Sequence, residues 1–248
     1  ESLLEAVDQG LISEESLDKS LKRLFEARFR LGMFDPEEEV PYAQIPYEVN
    51  ACEEHRQLAR QMAQESMVLL KNEAETLPLN QDLDSIAVIG PNADNKDIIL
   101  GNYHGTPSDY VTPLRGIREK VSDDTRVYYT EGCDLTSTDT THWGDDATKG
   151  FSEAISMAER SEAVVMCMGL SPALEGEEGA VAASDGGGDR TSLDLPGMQQ
   201  ELLQAVVDTG KPVILVLFNG SSVTINWSQE NIPAILEAWY PGEKGGPA

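Results

Sequence analysis

An open, mostly parallel β-sheet held between helices is the α/β fold class this sequence predicts, and three observations predict it. Short apolar runs recur at Ile86–Ile89, Val127–Tyr129, Ala163–Met168, Val213–Phe218 and Ala234–Trp239. Helical stretches separate them, near Pro113–Val121, Ala147–Arg160 and Gly197–Asp208. The runs are apolar throughout rather than alternating, so they need cover on both faces, as parallel strands between helix layers do.

The elements follow in order. Leu17, Leu21, Leu24, Phe25 and Arg28 fall at three- and four-residue spacing and give a first helix with one apolar stripe. Ser13 is placed to cap its start, Glu14 and Glu15 suit the positive helix end, and Gly32 closes it. With nothing before it to cover that stripe, the helix reads as the remainder of a preceding domain. The run Asp35-Pro36-Glu37-Glu38-Glu39-Val40-Pro41 breaks the pattern with proline and like charge. The expected division is therefore residues 1–35 as a domain tail, 36–50 as a linker and 51–248 as the sandwich, cut short at its C-terminal end. A helix is expected over Ala51–Leu70, with Leu58, Met62, Ser66, Leu69 and Leu70 facing inward. In the helix that Gly210 ends, Leu202, Leu203, Val206 and Val207 share a face.

Composition excludes several functions. The chain has 248 residues, of which 18 are basic and 44 acidic, for a formal net charge of −26. Such a field repels phosphate backbones and anionic lipid heads, so neither nucleic acid nor a membrane is an expected partner. No apolar run approaches the ~20 residues of a membrane helix. Cys52, Cys133 and Cys167 are too few and scattered for a disulfide framework or zinc site, although a Cys52–Cys133 bridge stays open. Cys167 reads as a buried strand thiol. His55, His104 and His142 lack ligand spacing, so no metal is expected. Gly90-Pro91-Asn92-Ala93-Asp94 follows a strand but is no GxGxxG phosphate loop, and no cofactor is expected. No Gly-x-Ser-x-Gly elbow offers a serine nucleophile.

In an open parallel sheet, ligands gather outside the carboxyl ends of the strands. The loop after Ala163–Met168 is the most unusual in the chain, with Glu175, Glu177 and Glu178 within Leu174-Glu175-Gly176-Glu177-Glu178-Gly179. Taken alone it reads first as a solvated acidic loop. The alternative is a general acid, because crowded carboxylates hold a proton more tightly and flanking glycines carry one out to a substrate. Arg190 is placed to anchor the loop to an acidic neighbour. Gly101-Asn102-Tyr103-His104-Gly105 sets an aromatic between glycines, either a platform for a sugar ring or a turn residue over the sheet edge. Trp227, Trp239 and Tyr240 read as core packing.

The run Leu174-Glu175-Gly176-Glu177, followed by Asp189-Arg190-Thr191-Ser192-Leu193-Asp194-Leu195-Pro196-Gly197-Met198-Gln199, resembles glycoside hydrolase family 3, most nearly its β-xylosidase branch. Val68-Leu69-Leu70-Lys71-Asn72-Glu73, Ile86-Ala87-Val88-Ile89-Gly90-Pro91-Asn92 and Trp239-Tyr240-Pro241-Gly242 belong to the same resemblance, in matching order. It implies a (β/α)8 barrel followed by an α/β sandwich. The helix before Pro36 would then be the barrel's tail. The implied activity is that of a retaining, exo-acting β-glycosidase on terminal β-linked sugars, above all β-1,4-xylosides of xylo-oligosaccharides. β-Glucosides and α-L-arabinofuranosides are the alternatives, and a non-catalytic carbohydrate-binding domain is a further one. By resemblance Glu177 is the general acid/base, with Glu175 the runner-up, and Tyr103 and His104 are substrate-binding candidates. The family's nucleophile is an aspartate on the barrel, in a Ser-Asp-Trp-like motif that this sequence lacks. The implied partners are an oligosaccharide and the missing N-terminal barrel, and the implied location is periplasmic or secreted. The small-residue stretch Ala180–Gly188 is an insertion relative to the family pattern.

Overall fold

The computed structural model describes residues 2–136, 148–176 and 190–248. Glu177, the stretch Ala180–Gly188 and His142 lie outside the described residues. The chain divides into two units, one ending at Cys52 and one running from Glu53 to Ala248.

The first unit holds α1 (Ser2–Asp8), α2 (Glu14–Arg30) and three short 3-10 turns up to Val49. Ser13 caps α2 as its sequence suggests, its hydroxyl accepting the Ser16 N–H at 3.2 Å. Neither α1 nor α2 buries a residue.

The second unit is a six-stranded sheet in the order β1-β6-β5-β4-β2-β3. Its strands are β1 (Val68–Asn72), β2 (Ser85–Ile89), β3 (Arg126–Thr130), β4 (Ala163–Gly169), β5 (Val213–Phe218) and β6 (Ala234–Glu237). All neighbours pair in parallel except β1, which runs antiparallel to β6 along the edge. Every residue of β2 and β4 is buried. Along β4 the side chains alternate between two cores, as a pleated strand requires. Val164, Met166 and Met168 join one core with Ala154 and Ala158 of α6 (Phe151–Glu159) and Leu202, Leu203 and Val206 of α7 (Gln199–Val207). Ala163, Val165 and Cys167 join the other with Ile98 of α4 (Lys96–Ile99) and Leu114 of α5 (Pro113–Lys120). Each fully buried Leu or Ile contributes about 1.5–3 kcal/mol relative to exposure, which is why the middle of the sheet defines the fold.

Several expectations are corrected here. The helix expected over Ala51–Leu70 is α3 (Glu53–Ser66), and its last residues are instead strand β1. The Ser66 hydroxyl donates back to the Ala63 carbonyl at 2.9 Å and closes the helix. The chain then pairs with β6, a partner 160-odd residues away that local periodicity cannot register. The expected inward face is also wrong: Leu58, Met62, Ser66, Leu69 and Leu70 are exposed, and Ala63 is the buried residue of α3. The last strand stops at Glu237, two residues short of the expected Trp239, whose φ of 56° ends the extended run. No Cys52–Cys133 bridge forms; all three thiols are free. Burial pushes the Cys167 thiol up to about 12, as suits the strand thiol read from the sequence.

Candidate functional site

Strands β4, β5 and β6 lie side by side, so the loops leaving their carboxyl ends converge. The loop from β4 leaves under tight control. Gly169 has φ +136°, and a Cβ there would lie 2.1 Å from the Phe218 carbonyl oxygen of β5, so the position admits no side chain. Its N–H donates to Gln199 Oε1 at 2.7 Å, while Gln199 Nε2 donates to the carbonyls of Gly169 and Leu135, both at 2.9 Å. Gln199 is fully buried, so one amide satisfies three backbone groups, two of them in buried bonds. Next, Leu170 N–H donates to Phe218 O at 2.6 Å, and Asn92 Nδ2, from the loop after β2, donates to Leu170 O at 2.8 Å.

So anchored, the loop makes a 3-10 turn over Pro172–Glu175 that buries Pro172 and Leu174 and leaves Glu175 partly exposed at the tip. The Glu175 carboxylate accepts the Gly220 N–H, at 3.2 Å to Oε1 and 3.1 Å to Oε2, and Oε2 also accepts the Tyr240 O–H. Gly220 follows β5 and Tyr240 follows β6, so one carboxylate ties together the ends of three adjacent strands. Burial first, then the neighbouring carboxylate, pushes the Tyr240 phenol above its ordinary range, so it stays protonated and donates. Among the described residues Oε2 thus accepts two donors and Oε1 one.

Beside this pair opens a cavity of about 370 Å³ whose lining includes Leu70, Asn219, Gly220, Ser222, Glu237 and Trp239. Glu237 is 7% exposed, its Oε1 accepts the Trp239 N–H at 2.9 Å, and burial raises its proton affinity. Asn219 donates from Nδ2 to the Ser221 carbonyl at 3.1 Å, and its buried Oδ1 has no partner among the described residues.

Of the sequence-stated candidates, Glu175 sits in this site. Tyr103 and His104 do not join it by any hydrogen bond among the described residues. Tyr103 is 95% exposed with φ +60°, and His104 Nδ1 pairs with the Gly105 carbonyl at 2.6 Å. Arg190 donates to the Ser192 carbonyl at 2.8 Å and to the Ser222 carbonyl at 3.5 Å, and its charge adds to the Thr224 and Ser192 hydroxyls in holding the Asp194 carboxyl below its ordinary range. Trp227 packs against the core as expected. Reading Trp239 and Tyr240 as core packing is corrected: Trp239 is 41% exposed and Tyr240 turns its hydroxyl to Glu175. The available signal was their place directly after a strand and before Pro241-Gly242. Gly220, Asn219 and Glu237 were missed because strand-end position alone does not single them out. No cluster able to hold a metal occurs among the described residues.

Residues 67–248 match the glycosyl hydrolase family 3 C-terminal domain, and the chain belongs to that family. Among curated relatives it is 40% identical over 241 residues to a beta-xylosidase of Formosa agariphila, covering 94% of this chain and 30% of that protein. It is 37% identical to probable beta-D-xylosidase 7 of Arabidopsis thaliana, over 97% of this chain and 30% of the relative. Among solved structures, a β-glucosidase from Erythrobacter marinus superposes with a TM-score of 0.84 at 33% identity, over 99% of this chain and 34% of that one. An exo-beta-xylosidase of the family, in complex with a xylobiose aziridine probe, gives 0.83 at 30% identity, over 98% and 29% of the two chains. The chain thus spans about 30% of the length of these curated relatives.

Proposed function

We propose that this chain is the sandwich part of a retaining, exo-acting β-glycosidase, and that its loop after β4 supplies the general acid/base. The observation that carries the reading is the Glu175 carboxylate, held at the carboxyl end of the sheet by donors that follow β5 and β6. The resemblance puts Glu177 first in this role; it lies two residues further along the sequence and outside the described residues, so the described contacts are those of Glu175 alone. Relatives named as beta-xylosidases support terminal β-1,4-xylosides as substrate, and the solved β-glucosidase keeps glucosides as the second reading. The curated relatives are about three times as long, which leaves room for a barrel preceding residues 1–35, with 36–50 as the linker.

In the double displacement such an enzyme performs, a barrel aspartate attacks the anomeric carbon while the loop glutamate protonates the leaving oxygen. The same glutamate then takes a proton from water as the glycosyl-enzyme is hydrolysed. Retention requires the two carboxyls ~5–5.5 Å apart, so the glutamate must be delivered to the barrel with its orientation set. Residues 1–248 alone, lacking the nucleophile motif, are expected to release no nitrophenol from aryl β-xylosides or β-glucosides.

Alanine at each glutamate of the full-length protein tests the assignment. The acid/base variant should lose hydrolysis of xylobiose far more than cleavage of a 2,4-dinitrophenyl glycoside, whose leaving group departs without a proton. Added azide should restore its turnover and yield a β-glycosyl azide. If neither Glu175→Ala nor Glu177→Ala shows that pair of behaviours, the loop does not carry the acid/base.

A further inference from the structure

We propose that Tyr240 is the positioning residue of Glu175: with the Gly220 amide it forms a two-donor cradle that fixes which carboxylate oxygen faces the substrate. The proposal rests on the reading of Glu175 as the acid/base and adds to it the group that aims it.

The need for such a group follows from the chain around Glu175. The turn that carries it ends there, and the donors that reach its carboxylate come from two other segments. The constraint comes from outside the loop. The Tyr240 O–H takes Oε2 from the end of β6, and the Gly220 N–H bridges both oxygens from the end of β5. Two donors on different strands fix both the tilt and the rotation of a planar carboxylate, which one donor cannot do.

The packing shows the same arrangement. A Cβ on Gly220 would lie 3.0 Å from Glu175 Oε2 and 3.0 Å from Tyr240 Cε2, so the carboxylate and the phenol ring meet over a backbone kept bare. Behind them, Gln199 and Phe218 hold the start of the loop rigidly on β4 and β5. Tyr240 remains a phenol at neutral pH and therefore acts as a donor, not as the proton source for the sugar. Among the described residues Oε2 accepts two donors and Oε1 one, so the cradle assigns the proton in transit to Oε1. A misplacement of about 1 Å at such a group slows reaction on the order of 100-fold.

The test uses the full-length protein, a β-disaccharide and a 2,4-dinitrophenyl β-glycoside of the sugar it cleaves fastest. Tyr240→Phe keeps the ring and removes the hydroxyl. We expect kcat on the disaccharide to fall roughly 10- to 100-fold with little change in KM. The dinitrophenyl glycoside should be slowed much less, the melting temperature should hold, and azide should give no rescue, because the carboxylate is still present. Gly220→Ala, which crowds the same carboxylate, should show the same split between substrates. Wild-type rates in Tyr240→Phe overturn the proposal, and so do equal losses on both substrates with a lowered melting temperature, the mark of a merely structural tyrosine. Glu175→Ala separates the two layers. If that variant shows leaving-group dependence and azide rescue while Tyr240→Phe behaves as wild type, the cradle fails and the acid/base reading stands. If Glu175→Ala shows neither, both fall.

Discussion

The two units of this chain carry the same kind of helical amphipathic pattern and come to opposite ends with it. In α2, Leu21 and Leu24 sit on the apolar stripe at 52% and 50% exposure, while Phe34 beyond it packs on Phe25 and Phe29, with ring centroids 5.7 and 4.6 Å apart. In α7, Leu202, Leu203 and Val206 are at 0% exposure, covered by the face of the sheet. A period of 3.6 residues thus says which side of a helix is apolar and nothing about whether its own unit covers that side. In the second unit cover is supplied by β4 and β5, whose register brings the helix face onto a continuous surface.

The comparison predicts that a single atom matters in the second unit and a whole side chain matters little in the first. The largest effect is expected at Gly169. Alanine there adds one methyl 2.1 Å from the Phe218 carbonyl oxygen at a φ of +136°, at the end of a strand buried along its whole length. A loss of roughly 3–5 kcal/mol is expected, a large part of an ordinary domain's stability. Denaturant unfolding of Gly169→Ala checks it, and a variant of near wild-type stability would show that the β4–β5 contact yields.

A smaller effect of opposite sign is expected at Glu237. Burial raises its carboxyl above the ordinary value of about 4.3, so the folded state binds its proton more tightly than the unfolded state does. Ionising this group therefore removes stability as pH rises past that ordinary value, and the penalty is complete only above the raised folded value. Glu237→Gln removes the charge and keeps an oxygen for the Trp239 N–H. Its melting temperature at pH 7 should exceed the wild type's by a few degrees, with the gain shrinking to nothing as pH falls below about 4. A gain independent of pH would assign it to something other than the buried charge.

What was legible in the sequence divides along the same line. Strands β2, β4 and β5 were plain because runs such as Val213–Phe218 are apolar at nearly every position, and only a strand covered on both faces tolerates that. Strand β1 was not, because Val68-Leu69-Leu70 continues the spacing of Leu58 and Met62 and nothing local distinguishes an edge strand from another helical turn. Its identity depends on β6, far along the chain. The site follows the same rule. The sequence points to a glycine-flanked acidic loop after a strand, in which the resemblance puts Glu177 first and Glu175 second. The contacts of Tyr240 and Gly220 with Glu175 are not legible there, because they exist only once β4, β5 and β6 stand side by side.

The smallest expected effect is the one that bears most directly on the comparison itself. Leu24→Gln keeps a good helix former and removes an apolar side chain from the middle of the α2 stripe. If that stripe is uncovered within this chain, the substitution should change stability by no more than about 0.5 kcal/mol, the range of ordinary surface positions. Leu202→Ala, at an equivalent place on the stripe of α7, should cost about 2–5 kcal/mol. In the full-length protein the proposed barrel would bring cover to α2, and Leu24→Gln should then move toward the α7 value. A large loss already in residues 1–248 would mean that this stripe finds cover in the chain itself, and the contrast between the two units would go with it.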